Sequence, residues 1–309
     1  MQRFSPLVLL LALALEAADA LRPVFFDTHG RLERGKSSTG ALQKLYVPVC
    51  DGESLLTADA DAWRPTLLSE EDAAPLLQDE GTLEAFLGTA QTGVLGSADY
   101  WLLDVSHLDE PPELGDGTWK PLRARAGPSP CDTLHSDEAA LLGTARGMAH
   151  WHRSVKFCAN CGSANVRPYR EGKGRQCADC KARFRPRLDA SVIVLVTDAA
   201  GERCLLGRKA EWPAGRYSTL AGFLEFGETL DECVAREVQE ESGVAVERSS
   251  IRYVASQPWL FPRSMMVGFV VRAQTAPPSS PTPPLVAASK PALRACAVTT
   301  PRLLGCPPP

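Results

Sequence analysis

The chain has 309 residues, 44% of them apolar, and 33 basic against 37 acidic side chains give a net charge of −4 and a pI near 5.8. This length and apolar content suit two or three domains with real cores and exclude a chain that is disordered throughout. The small acidic excess excludes a general polycation, so any contact with nucleic acid has to be local.

At the N-terminus Arg3 precedes an apolar run from Leu7 to Leu15, and Ala18-Asp19-Ala20 places small residues at the spacing a signal peptidase cuts. Residues 1–20 are therefore expected to be a signal-like targeting segment, with a misassigned start or a buried N-terminal strand as alternatives. The run is too short for a stable membrane span. Such a segment points to the secretory route or to an organelle such as a plastid. Residues 21–135 follow as an N-terminal domain of α+β type, where Tyr100-Trp101-Leu102-Leu103-Asp104-Val105 reads as a strand. His29, His107 and His135 are isolated, and a lone histidine is more often a surface or packing residue than a ligand. From Asp137 to Arg153, Ala140, Leu141, Thr144, Met148 and Trp151 recur at helical spacing, and this helix opens a segment expected over 136–187.

That segment contains Cys158-x2-Cys161 and Cys177-x2-Cys180, separated by fifteen residues. Two such knuckles are the spacing of a zinc ribbon, in which four thiolates close a structural Zn²⁺ site and favour a reducing compartment. Two disulfides are the competing reading, which a secreted chain would favour. The remaining cysteines, Cys50, Cys131, Cys204, Cys233, Cys296 and Cys306, show no spacing of their own, and Cys233 reads as core. Arg167, Arg170, Lys173, Arg175, Lys181, Arg183, Arg185 and Arg187 surround the knuckles. They suit a nucleic-acid contact, a wall that steers a phosphate substrate, or a solubilising rim.

Residues 188–274 form the next unit. Ala190 to Val196 is a β-branched buried-strand run, Asp198 to Gly201 turns it, and Cys204 to Gly207 returns. A helix then starts at a capping box of Thr229 and Glu232 and stops at Gly243. On it Glu237, Glu240 and Glu241 converge on one side, and Leu230, Cys233, Val234 and Val238 place Glu237 and Glu241 beside the core. Charge so close to a core is costly unless a partner offsets it, and a hard cation, Mg²⁺ or Mn²⁺, takes carboxylates and phosphate oxygens together.

Gly222, Glu228, Arg236, Glu237, Val238, Glu240, Glu241, Gly243 and Val244 fit G-x5-E-x7-R-E-U-x-E-E-x-G-U, with U aliphatic, at every position. The stretch resembles the Nudix hydrolase signature. Downstream, Ser256-Gln257-Pro258-Trp259-Leu260-Phe261-Pro262-Arg263-Ser264 resembles the S-Q-P-W-P-F-P-x-S array of the NADH pyrophosphatase branch, departing only at Leu260. The prolines suggest a stiff loop, and Trp259 and Phe261 suit either stacking or ordinary core. The resemblance covers residues 138–274 and implies a Nudix α/β/α sandwich with a mixed sheet, preceded by the ribbon and the α+β domain. It implies Glu237, Glu240 and Glu241 as catalytic metal ligands for Mg²⁺ or Mn²⁺. It also implies a structural role for Gly222, Glu228 and Arg236, and a nicotinamide pocket shaped by Phe223, Gln257, Trp259, Phe261 and Ser264. The implied reaction is hydrolysis of NADH, less readily NAD⁺, to nicotinamide mononucleotide and AMP, with removal of NAD caps from RNA, in a homodimer. Metal-activated water would attack phosphorus, one glutamate receiving its proton.

Residues 275–309 contain ten prolines and no Asp or Glu, which suggests a Pro-rich disordered tail behind an apparently truncated Nudix domain. The further acidic segment that the family places near its metals is not found there. This keeps open an alternative, a catalytically impaired zinc-ribbon protein that binds dinucleotide or RNA.

Overall fold

The computed structural model describes residues 32–299 apart from 39, 61, 123–129, 202, 213–216, 261–262 and 275–292, and for 131 and 293–299 the backbone alone. Residues 1–20, with the signal-like segment, and His29 lie outside the described residues. No helix among the described residues is long and apolar enough to cross a membrane. Two compact units divide at Arg187 and Leu188, with Leu260 and Arg263 belonging to the first.

In the first unit, β1 (Gln43–Cys50), β2 (Glu53–Asp59), β3 (Ala62–Pro65), β4 (Leu83–Ala90) and β5 (Ala98–Asp104) lie in the order β3-β2-β1-β5-β4, and β6 (Thr118–Lys120) also pairs with β2. Only β1 and β5 run parallel. Alternation along β1 sends Val47 and Val49 to one face and Tyr46 and Cys50 to the other, and both faces are buried. Helix α2 (Ser136–Ser154) covers the first with Leu141, Leu142, Ala145 and Ala149. Helix α1 (Glu70–Leu77) covers the second with Ala73, beside Phe86, Trp101 and Leu103. A sheet buried on both sides explains why Tyr100 to Leu103 is apolar without alternation. Each fully buried leucine of α2 contributes about 2 kcal/mol of transfer free energy. His135 is the N-cap of α2, its Nδ1 accepting from the Asp137 amide at 3.2 Å, and His107 pairs with Asp79 at 3.0 Å.

Three short strands follow as an antiparallel sheet, β7 (Val166–Tyr169), β8 (Gly174–Cys177) and β9 (Arg183–Phe184). The β7–β8 turn is pressed against β4. Phe86 donates its amide to the Glu171 carbonyl at 2.8 Å, and Gly172, at φ +74°, leaves no room for a Cβ, which would lie 2.4 Å from that of Ala85. Under the turn His152 of α2 is buried, donating from Nε2 to the Gly172 carbonyl at 2.7 Å and accepting from Arg175 at 3.3 Å through Nδ1. Burial pushes its pKa down to about 4, so the ring is neutral. Helix α2 thus packs its core against β1 and its end against the ribbon. The expected segment over 136–187 is not a separate packing unit, because the helix face that spacing alone revealed is buried by strands far earlier in the chain.

The second unit contains β10 (Asp189–Thr197), β11 (Arg203–Lys209), β12 (Leu220–Phe223), α3 (Leu230–Ser242), β13 (Arg252–Trp259), β14 (Ser264–Arg272) and β15 (Leu293–Thr299). The sheet is mixed, in the order β13-β14-β10-β11-β15 with β12 beside β10, and β10 pairs with β14 in parallel. Cys233, Val234 and Val238 seat α3 on Val192, Val194, Leu220 and Val271.

Two expectations are corrected. Ser256 to Trp259 is strand rather than loop, since β13 is an edge strand and an edge tolerates Pro258, whose missing amide can face away from the ladder. The tail is not wholly without structure, since residues 293–299 pair antiparallel with β11 over seven positions. The ten prolines of 275–309 all lie outside that run, so composition averaged over the tail hid a proline-free segment able to extend a ladder.

Because His152 is neutral when folded and titrates near 6.5 when unfolded, the unfolded chain binds more protons between those values. The first unit is expected to lose stability as pH falls from about 6.5 to about 4. In His152→Gln, urea melts across that window should lose this part of the pH dependence.

Candidate active site

Helix α3 starts at Thr229, whose hydroxyl accepts from the Glu232 amide while Glu232 accepts from the Thr229 amide at 2.8 Å, and it ends at Gly243 with φ +72°. This fixes its rotation on the sheet. Glu237 and Glu241 are consequently buried, 3% and 9% exposed, while the Glu240 side chain is 37% exposed. Glu241 accepts from the Ala221 amide of β12 at 3.2 Å. The Glu237 carboxylate lies directly over Gly222, where a Cβ would meet it at 1.8 Å. Gly222 is thus required by a close approach rather than by a turn. The Ala221 amide carries no sequence signal, since any residue but proline supplies one.

Arg236 joins these parts. Its Nε and one terminal nitrogen donate to the two oxygens of Glu228 at 2.7 and 2.9 Å, a fork on a carboxylate. That same nitrogen reaches the Phe223 carbonyl at 2.9 Å, and the other meets Glu237 at 2.9 Å and Glu240 at 3.4 Å. Bonds from Arg236 outweigh partial burial and hold Glu228 down at about 2, and Glu228 in turn raises the pKa of Arg236.

Phe223, next to Gly222, is 59% exposed at the end of β12. Its rung crosses the sheet from Phe223 through Ser191 and Met266 to Gln257. One step along, Trp259 pairs with Ser264, which pairs with Asp189. Trp259, 37% exposed, donates from its indole to the Gln257 side chain at 3.0 Å, and Ser264 is buried. Alternation places Phe223, Gln257, Trp259 and Ser264 on one face at one end of the sheet. Phe261 lies outside the described residues.

The sulfurs of Cys158, Cys161, Cys177 and Cys180 all lie within 4.8 Å of one another, with 3.5 Å between Cys158 and Cys180 and 3.7 Å between Cys161 and Cys177. These cysteines are free, so the two-disulfide alternative is not realised. Four thiolates about 2.3 Å from one ion stand about 3.8 Å apart, so the cluster fits a tetrahedral metal. On α3 the donors are carboxylate oxygens against a glycine floor, a set that fits a hard divalent ion. Cys50, Cys204 and Cys233 are buried thiols, and Cys233 is core.

Glu228 ionises well below the ordinary carboxylate range, so its contribution is complete above about pH 4.5 and is lost as pH falls toward about 2. The second unit should lose stability as pH falls through that window, and Glu228→Gln should flatten the dependence in a chemical-denaturation series.

Residues 187–293 match a family model described as a NUDIX domain, and residues 43–151 match that of an NADH pyrophosphatase-like rudimentary NUDIX domain. The chain is 42% identical over 167 residues to "NAD-capped RNA hydrolase NudC" of Pseudomonas aeruginosa strain LESB58, covering 53% of this chain and 56% of that protein. It is 40% identical over 151 residues to "Nudix hydrolase 19, chloroplastic" of Arabidopsis thaliana, covering 47% of this chain and 34% of that protein. It is 41% identical over 148 residues to "NAD-capped RNA hydrolase NUDT12" of Homo sapiens, covering 45% and 31%. The matched region thus spans about half the length of the first relative and about a third of the other two. The chain thus carries a Nudix domain and, ahead of it, an NADH pyrophosphatase-like rudimentary Nudix domain.

Proposed function

We propose that the chain hydrolyses the diphosphate bond of NADH and NAD⁺ to nicotinamide mononucleotide and AMP, and removes the same group as a cap from RNA. One juxtaposition carries this reading. Gly222 and Phe223 are neighbours in β12, so the strand end that floors the Glu237 carboxylate with one residue presents an exposed aromatic ring on its other face with the next. The names of the relatives support the same chemistry.

Glu237, Glu240 and Glu241 would hold Mg²⁺ or Mn²⁺, and such an ion neutralises a diphosphate and acidifies water. The residues of the chain do the rest. Arg236 and Glu228 fix the loop and the carboxylates before substrate arrives, so no reorganisation accompanies the reaction. Phe223 and Trp259 offer flat faces to the nicotinamide, with Gln257 beside them for its polar edge and Ser264 buried beneath, paired with Trp259. Glu240, the most exposed of the three glutamates, is reachable by the water whose proton must be accepted. Zn²⁺ in the four-cysteine site has a structural role, since four protein ligands leave no open position.

Mass spectrometry of NADH incubated with the protein and Mg²⁺ or Mn²⁺ should show reduced nicotinamide mononucleotide and AMP. Glu240→Gln should slow turnover at least about a hundredfold, the usual cost of removing one preorganised stabilising group. Intact NADH with a folded, zinc-loaded wild type would replace this reading with that of a binding protein. Separately, atomic absorption should find one zinc per chain. Stripping it, or Cys177→Ser, should lower the melting temperature of the first unit.

A further inference from the structure

The basic residues around the cysteine knuckles are not spread evenly. Register across the ribbon sheet places Arg167 opposite Gln176 and Gln176 opposite Arg183, so these three share a rung and a face. Two residues along on the same face come Tyr169, Gly174 opposite it, and Arg185 just past the end of the third strand, beside Gly174. The other face carries Val166, Cys177 and Phe184, packed with Cys158, and Arg175 turned inward to His152 and the Val166 carbonyl. The outward face is therefore three arginines, a glutamine and a tyrosine, with no acid among them. Arg170 joins its edge. The guanidiniums of Arg170 and Arg183 lie 5.4 and 5.0 Å from the Tyr169 ring centre.

Acids close in sequence are engaged elsewhere. Asp179 accepts from Ser163 and Asn165, and Glu171 from Ser37 and Lys173. Arg167 donates to the Asn165 side chain at 3.1 Å, and among the described residues Arg167, Arg170, Arg183 and Arg185 enter no ion pair. A solubilising rim would intersperse both signs. Here an overall acidic chain gathers one sign around one aromatic ring, and Gly174 leaves no side chain between Tyr169 and Arg185.

From this face we infer that the ribbon sheet docks single-stranded RNA, the body of the capped substrate; this rests on the reading under Proposed function. Guanidiniums take backbone phosphates, and a base stacks on Tyr169 as one of the two guanidiniums lying over its ring moves to a phosphate, the combination that binds unpaired strands with little regard to sequence. An acidic protein partner would use the charges and leave the ring idle.

The test uses the full chain without added Mg²⁺ or Mn²⁺ and a fluorescein-labelled twelve-nucleotide single-stranded RNA carrying a 5′ NAD cap, followed by anisotropy over a salt series. The wild type should bind with a salt-dependent affinity. The triple variant Arg167→Gln, Arg183→Gln, Arg185→Gln should bind at least about tenfold more weakly, with a log–log salt slope shallower by about 2, near 0.7 per lost phosphate contact. It should keep its zinc and its wild-type turnover of free NADH. Tyr169→Ala should weaken RNA binding several-fold and leave binding of inorganic polyphosphate unchanged. The inference is overturned by a zinc-loaded triple variant that binds RNA like the wild type, by no RNA binding in the wild type, or by polyglutamate competing as well as unlabelled RNA. Failure to hydrolyse NADH would count against the catalytic reading alone, since binding is measured without turnover.

Discussion

The second unit depends on the fork between Arg236 and Glu228. One guanidinium holds a loop carboxylate in both its oxygens, the end of β12 through the Phe223 carbonyl, and two glutamates on its own helix. No other residue type can do this, because the five donors of arginine are fixed in a plane while a lysine ammonium is a single point charge. The interaction is only partly buried, so its contribution to stability is modest; what it supplies is position. Loop, strand end and helix converge, and the carboxylates of α3 face β12 before any ligand is present.

A different constraint governs the ribbon. Its buried cluster is Cys158, Val166 and Cys177 with a few half-buried neighbours, far too little apolar surface to stabilise a fold of this size. Two devices compensate. The four sulfurs are placed for one metal ion, and the β7–β8 turn is clamped between β4 and α2 through Glu171, Gly172 and His152. A neutral histidine suits that position because it donates from one nitrogen and accepts from the other, which satisfies a buried carbonyl and a guanidinium together.

Much of this architecture is legible in the residues. Capping chemistry and spacing set the bounds of α3 and α2 to within a residue or two, and the continuous β-branched run of β10 announced a strand covered on both faces. The cysteine spacing predicted a cluster that does assemble. Less was legible where a segment's role depends on its neighbours. Proline in Ser256 to Trp259 argued for a loop, yet an edge strand accommodates it. The tail read as disordered from its average composition, yet seven of its residues complete a ladder that β11 holds open.

Residue order alone determined the local elements and the kinds of side chain available at the site: three glutamates on one helical face, an arginine directly before the first of them, and four thiols in two knuckles. These follow from periodicity and covalent spacing, which are properties of neighbours along the chain. Only the tertiary structure decided that Glu237 lies on Gly222, that the Ala221 amide meets Glu241, that α2 belongs to the N-terminal core, and that Arg167, Gln176 and Arg183 share a rung. Those relations join residues distant in sequence through backbone groups and strand register. Backbone amides are the same at nearly every position, and register is set by the packing of whole faces rather than by any one residue.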